Sequence, residues 1–210
     1  MYKDITGVIL TGGKSTRMGS NKSLLTIGGI TVIERVVNLM KELFNSVILI
    51  TNQPEEYSFL NVPMHEDIYQ GIGPLAGIHS ALLNSITEKN FIISCDIPLM
   101  TYEVIKYMVE FPTTKPITIA KADNFIQQLC GIYSKSLLQV IGNIIVKNIP
   151  PLHDERNPDQ KKRGCRVLQL VKTVDSEIID IEKEFKDYIP GTFYNMNNPS
   201  EYNYIKNKLN

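Results

Sequence analysis

Apolar and polar positions alternate between two periods along the first half of the chain. Asp4 to Thr11 (DITGVILT) is a short β-branched apolar run stopped by Gly12-Gly13, the pattern of a buried strand ending in a turn. From Thr31 to Phe44, Val32, Ile33, Val36, Val37, Leu39, Met40 and Leu43 recur at helical spacing, with Thr31 as N-cap and Glu34 as its capping-box partner. Ser46 to Thr51 (SVILIT) predicts a second buried strand, ended by Asn52-Gln53-Pro54, so a first βαβ unit closes by residue 52. The order repeats with a short strand at Val62 to His65 and a helix from Pro74 to Ser85. A third apolar run, Asn90 to Cys95 (NFIISC), halts at Asp96-Ile97-Pro98, and a helix from Thr101 to Glu110 follows.

This alternation predicts an α/β fold of three layers: a mostly parallel central sheet with helices on both faces and ligands at the carboxyl ends of the strands. The loops after DITGVILT, SVILIT and NFIISC then face one crevice. The later half is less regular. Ile117 to Ala120 and Ile126 to Tyr133 read as paired strands around Asp123-Asn124, Ser136 to Val146 as a helix despite Gly142, and Pro199 to Leu209 as a closing helix capped by Asn198. Between Asn148 and Gly164, three prolines and mixed charges predict an exposed, mobile loop. No linker divides the sequence, and a single domain over residues 1–210 is expected.

Composition narrows the class further. At 210 residues and 43% hydrophobic content the chain is long enough to bury a core of ordinary size. Its 22 basic and 22 acidic residues cancel, so no whole-protein field draws it to nucleic acid or an acidic membrane, and any phosphate binding has to be local. No apolar run approaches the ~20 residues of a spanning helix. MYKDITGVIL lacks the basic region and long apolar core of a signal peptide, and a cytoplasmic location is expected. Cys95, Cys130 and Cys165 are widely spaced and read as reduced, buried thiols; His65, His79 and His153 show no triad or metal spacing.

Candidate chemistry gathers at the strand exits. Leu10 to Lys22 (LTGGKSTRMGSNK) is a glycine-containing loop holding Lys14, Arg17 and Lys22. Its glycines let backbone N–H groups point at an anion, and its cations neutralise a polyphosphate. A lone Gly-Gly pair would read as an ordinary exposed turn; three cations on a strand-exit loop favour the phosphate reading. Spacing excludes two familiar loops, since a Walker loop needs glycine where Val8 stands and Gly12, Gly13 and Gly19 do not make G-x-G-x-x-G.

Asp96 follows a buried strand directly, a position suited to binding Mg²⁺ through one carboxylate plus substrate phosphates; a turn aspartate before proline is the plainer alternative. Asp67 and its neighbour Glu66 precede the second glycine turn, where either suits a nucleoside hydroxyl or base edge, or solvent. Gly73-Pro74-Leu75-Ala76-Gly77 opens a helix whose N-terminus favours anions. Asn195 and Asn197 alternate on one side of an extended segment, so both amides reach one ligand, with turn and cap chemistry before Pro199 as the alternative. The run Lys161-Lys162-Arg163, with Arg166, reads as a solvated loop face ahead of a receiver of phosphate or partner.

In order, LTGGKSTRMGSNK, TNQ, HED, GPLAGI, SCDIP and NMNNPSEY resemble the molybdenum cofactor guanylyltransferase family, among the Rossmann-like nucleotidyltransferases, over residues 10 to 202. The glycine loop and C-D-x-P are shared with cytidylyltransferase relatives, whereas GPLAGI and N-x-N-x-P point to the guanylyl branch. The resemblance implies transfer of GMP from GTP to molybdopterin, with release of pyrophosphate and Mg²⁺ as cofactor. It implies that Leu10, Thr11, Gly12 and Gly13 form the nucleotide loop and that Lys22 binds phosphate with help from Arg17. It further implies that Asn52 and Asp67 contact the nucleotide, that Asp96 binds both GTP and Mg²⁺, and that Asn195 and Asn197 stand beside the site as substrate contacts. Arg17, Lys22 and Asp96 are thus the expected catalytic set. Proteins that deliver molybdopterin or mature molybdoenzymes are the implied partners, with no nucleic acid and no membrane.

Two positions depart from the family pattern. Thr11 stands where Ala is usual, and Asn21 where Asp is common, which removes a charge beside Lys22. The competing readings are a CTP-using pterin or sugar-phosphate transferase on the same fold, and a non-catalytic nucleotide sensor. A glycosyltransferase is expected to carry D-x-D after a strand, and Cys95-Asp96-Ile97-Pro98 stands there instead.

Overall fold

The β-branched run after Asp4 forms strand β1 (Tyr2–Leu10), whose side chains alternate between two apolar faces: Ile5 and Ile9 point one way, Val8 and Leu10 the other. A strand apolar on both faces belongs inside a sheet, and β1 lies between two parallel neighbours, β4 (Phe44–Ile50) and β6 (Lys89–Ser94). The computed structural model describes residues 1–12, 21–148 and 165–209. Gly13, Lys14, Arg17, Gly19, His153, Lys161, Lys162, Arg163 and nearly all of the loop expected between Asn148 and Gly164 lie outside the described residues.

The sheet is completed by β5 (Met64–His65), β7 (Ile117–Ala122), β8 (Phe125–Ser134) and β9 (Ser176–Asp180), in the order β5-β4-β1-β6-β8-β7-β9. Among the described strands of this sheet, β8 alone runs antiparallel to its neighbours. It does so because β7 and β8 form a hairpin: Ala122 pairs with Phe125, and Asp123 and Asn124 make the two-residue turn at φ 52° and 64°. A small separate hairpin, β2 (Thr26–Ile27) and β3 (Ile30–Thr31), precedes the first helix.

Helices α1 (Val32–Leu43) and α3 (Tyr102–Glu110) cover one face, through Ile33, Val37, Met40, Val104, Ile105 and Met108. Helices α2 (Pro74–Asn84), α4 (Leu138–Asn148) and α5 (Val167–Thr173) cover the other, through Leu75, Ile78, Ile141, Ile145 and Leu170. Each such side chain contributes about 1.5–3 kcal/mol when fully buried. The predicted caps hold: Thr31 and Glu34 make the reciprocal capping box of α1, with Thr31 N–H donating to Glu34 Oε2 at 2.7 Å and Glu34 N–H to Thr31 Oγ1 at 3.2 Å. The helix expected from Ser136 begins one residue earlier as a 3-10 turn, Lys135–Leu137, and continues as α4 to Asn148. α5, β9 and the short α6 (Ile181–Glu184) had no counterpart in the sequence reading. Finally α7 (Pro199–Leu209) closes a third apolar cluster, with Ile205 and Met196 against Ile27 and Val32.

Candidate active site

The parallel ladder continues past the strand ends and aligns three exits. Thr11 N–H donates to the Ile50 carbonyl at 3.0 Å, and Cys95 N–H to the Leu10 carbonyl at 3.1 Å. Leu10 to Gly12, Thr51-Asn52 and Cys95-Asp96 therefore emerge side by side, as the alternation of elements predicts. Thr11 adds a bond from its hydroxyl to the Ile50 carbonyl at 3.1 Å, so the departure from alanine lends this exit one extra tie.

Asp96 is the meeting point. Its Oδ1 accepts from the Ser94 hydroxyl at 2.6 Å, and its Oδ2 lies 3.5 Å from Lys22 Nζ. Lys22 also donates to Asn197 Oδ1 at 2.8 Å. Asn197 reaches it because Met196 N–H binds the Asp96 carbonyl at 2.8 Å, laying the 195–197 segment along the β6 exit. Met196 is buried while Asn195 and Asn197 are exposed, the alternation read from the sequence. Glu201, in the first turn of α7, accepts from the backbone N–H groups of Asn197 and Asn198, and Asn198 Oδ1 accepts from Glu201 N–H at 3.0 Å. This second capping box fixes the segment that carries Asn197.

Asn52 and Asp67 form a pair of their own. Asn52 Nδ2 donates to Asp67 Oδ2 at 3.3 Å, and Asp67 N–H donates to Asn52 Oδ1 at 2.9 Å. Asp67 Oδ1 is buried with no partner among the described residues, facing the first turns of α2 beside Gly77 and Leu10. Burial pushes the Asp67 carboxyl above its ordinary range, and the Asn52 hydrogen bond draws it partly back. Glu66, the other acid beside this turn, is exposed and among the described residues bonds only to Gln70. Among the described residues no side chain caps the α2 N-terminus, and Gly73 enters it at φ 103°, a conformation that suits glycine.

Between these groups and β8 lies a cleft of about 550 Å³, within the usual range for small-molecule sites. Asp96, Asn195, Gly73, Gln128 and Arg166 are among its lining residues. Asp96 thus borders the cleft and also contacts Lys22. Among the described residues no group of three or more His, Cys, Asp or Glu side chains is placed to hold a metal alone. A single carboxylate held by Ser94 instead fits a cation that completes its shell with substrate phosphate and water. Cys95 offers no nucleophile here, for burial pushes its thiol up to about 12.

Leu10, Thr11, Gly12, Lys22, Asn52, Asp67, Asp96, Asn195 and Asn197 all stand at the strand exits or beside them. The sequence reading missed Ser94, Glu201 and Gln128. Ser94 was detectable from its spacing, two residues before Asp96, and Glu201 from the N-x-x-E pattern at the start of α7.

Comparison with known proteins places this geometry. The family described as the MobA-like NTP transferase domain matches residues 7–149. A relative from Carboxydothermus hydrogenoformans named "Probable molybdenum cofactor guanylyltransferase" is 32% identical over 201 residues, 95% of this chain and 94% of the relative. The chain belongs to the molybdenum cofactor guanylyltransferase family. A relative of the same name from Aquifex aeolicus is 33% identical over 91% of this chain and 85% of its own length. Among solved structures, an Aquifex aeolicus protein aligns at TM-score 0.72 with 32% identity, covering 91% of this chain and 92% of that one. The molybdopterin-guanine dinucleotide biosynthesis protein A of Archaeoglobus fulgidus aligns at TM-score 0.76 over 97% of both chains; at 19% identity it speaks for the fold alone. The family is one of nucleotidyltransferases, and the mostly parallel sheet with helices on both faces is its Rossmann-like fold.

Proposed function

We propose that the chain transfers GMP from GTP to the molybdopterin cofactor, releasing pyrophosphate and forming the guanine dinucleotide. The observation that supports this most is the convergence of Lys22, Asn197 and Asp96 on one point beside the cleft, in a chain of this family. The terminal phosphate of molybdopterin attacks the α-phosphorus of GTP; one P–O bond forms there as the bond to the bridging oxygen breaks, and pyrophosphate leaves. That phosphate is already ionised near neutral pH, so no protein nucleophile is required. The protein's work is alignment and charge dispersal.

In this reading Leu10, Thr11, Gly12 and Gly13 cradle the nucleotide, and Lys22 with Arg17 holds the phosphates. Asn52 and Asp67 orient the nucleoside; the partnerless Asp67 Oδ1 is an acceptor for a base N–H or a ribose hydroxyl. Ser94 keeps the Asp96 carboxylate turned toward the phosphates. Asp96 would hold Mg²⁺, which would neutralise triphosphate charge there. Asn195 and Arg166 line the cleft on the side left for the acceptor pterin. No described helix is long and apolar enough to cross a membrane. In this reading the enzyme is cytoplasmic and receives molybdopterin from a delivering protein.

The deciding experiment is pyrophosphate release from GTP, CTP and ATP, with and without Mg²⁺ and with and without a molybdopterin-loaded carrier. Release from GTP that needs both the metal and the pterin is expected. Preference for CTP would move the chain to a cytidylyl role, and tight GTP binding without turnover would make it a sensor.

A further inference from the structure

Asn21 ties Lys22 to a part of the chain that contacts neither nucleotide nor acceptor in the reading above. Its side-chain oxygen accepts from Ser23 N–H at 3.2 Å and from the Ser23 hydroxyl at 2.7 Å, capping the 3-10 turn Lys22–Leu24. Its amide nitrogen donates to Glu56 Oε2 at 2.7 Å and to the Tyr57 hydroxyl at 2.8 Å. The Ser23 and Tyr57 hydroxyls lie 3.0 Å apart, and Tyr57 is buried. Glu56 and Tyr57 sit in the 3-10 helix Pro54–Leu60, which starts two residues after Asn52.

Every polar atom of the Asn21 side chain is engaged, and the partners on its two ends differ in kind. The turn needs an acceptor, while the Glu56 carboxylate needs a donor; a primary amide supplies both. A carboxylate at the same place would keep the cap and set two like charges against each other. The amide at position 21 and the acid at position 56 are therefore matched to one another. Fixing the Lys22 backbone sets where its flexible stem starts, within reach of Asn197 and Asp96, which then hold the ammonium.

We propose that Glu56 and Tyr57 are positioning residues that act through Asn21 to set the place of Lys22, coupling the Asn52 end of the site to its phosphate end. The inference rests on Lys22 binding phosphate. It is tested by calorimetric binding of GTP and of guanosine, both with Mg²⁺, to the full chain and its variants. Asn21→Asp is expected to weaken GTP about tenfold by like-charge contact with Glu56, with guanosine changed by less than about twofold. Adding Glu56→Gln restores a donor to the contact and is expected to return GTP affinity to within about threefold of the parent. Tyr57→Phe, which keeps the buried ring, is expected to weaken GTP in the same selective way. In a Lys22→Ala background Asn21→Asp should no longer change GTP binding. Equal losses for GTP and guanosine, or no recovery in the double variant, would make Asn21 a purely structural cap and overturn the proposal. If Lys22→Ala weakens GTP while Asn21→Asp is silent, the coupling alone fails; if Lys22→Ala leaves GTP unchanged, the phosphate reading fails and the coupling with it.

Discussion

Lys22 Nζ and Asp96 Oδ2 stand 3.5 Å apart although 74 positions separate them in sequence. Both side chains are about four-fifths covered, and each has another polar partner: Asn197 for the lysine and Ser94 for the aspartate. The pair is thus a loose contact between two groups held from behind. A triphosphate entering between them would take over Lys22 and leave Asp96 its carboxylate for a cation, without either residue having to swing far.

Asp96→Asn tests this division of labour. The amide keeps the shape and a bond to Ser94 but loses the charge, so turnover is expected to fall by about 10²–10³ while GTP affinity without metal holds or rises because Lys22 is released. The dependence of rate on Mg²⁺ concentration should flatten as well. Steady-state kinetics across a metal titration check both, and ordinary turnover with an ordinary metal response would remove Asp96 from the catalytic set.

Two glycines in the sheet predict unequal costs. A Cβ on Gly131 would stand 2.3 Å from the Thr118 carbonyl oxygen and 2.7 Å from Ile119 Cγ2, so the β7–β8 ladder itself would have to move. On Gly7 it would meet side chains only, Phe44 Cδ2 at 2.8 Å and Met40 Cε at 2.9 Å, both buried, so a ring and a flexible methionine end have to shift while the backbone ladder stays in place. Gly131→Ala is expected to lose about 3 kcal/mol or more and Gly7→Ala about 1–2 kcal/mol, read from urea denaturation midpoints. Equal midpoints for the two variants would contradict the ladder clash.

The parts of this structure legible in the sequence are those where one period runs unbroken. DITGVILT and SVILIT are apolar on both faces because β1 and β4 are interior strands, and the stripe on α1 is set by one contact face. The β7–β8 hairpin was readable because Asp123-Asn124 tolerates the left-handed turn that two-residue hairpins need. Short elements were not readable. β9, SEIID, buries only Ile179 fully and lies at the sheet edge, so its polar residues mask the alternation. α5 has seven residues, too few to display a helical period. At the site, glycines, Lys22 and Asp96 stand out because their chemistry depends on type and position. The partner of Asn21 does not, since Glu56 lies 35 positions away and only the folded β4 exit brings the two together.

The three cysteines predict a chemical result. Cys95, Cys130 and Cys165 are free and buried, and burial raises all three thiols above their ordinary range. A thiolate-selective reagent at pH 8 is expected to label the folded protein slowly and to reach all three in denaturant. Fast labelling of one cysteine in the folded state, located by peptide mapping, would show that its wall opens.

Asp67 carries the pH prediction. Its carboxyl is raised by burial, so the folded chain binds the proton more tightly than the unfolded chain does. Stability contributed by this group is therefore full below the unfolded value of about 3.9, falls as pH climbs from there through the raised folded value, and stays low above it. Asp67→Asn removes the buried charge while the side-chain oxygen still accepts from Asn52. The variant should melt higher than the parent at pH 7, with the gain shrinking toward nothing near pH 3.5. A gain of the same size at both pH values would mean that packing, and not ionisation, separates the two proteins. If Asp67 Oδ1 serves a ligand donor, the same substitution weakens GTP as it stabilises the fold, the trade expected where a site keeps an unsatisfied group for its substrate. Melting curves with and without GTP read both effects from one preparation, because a more stable fold raises the ligand-free melting point and weaker binding shrinks the ligand-induced shift.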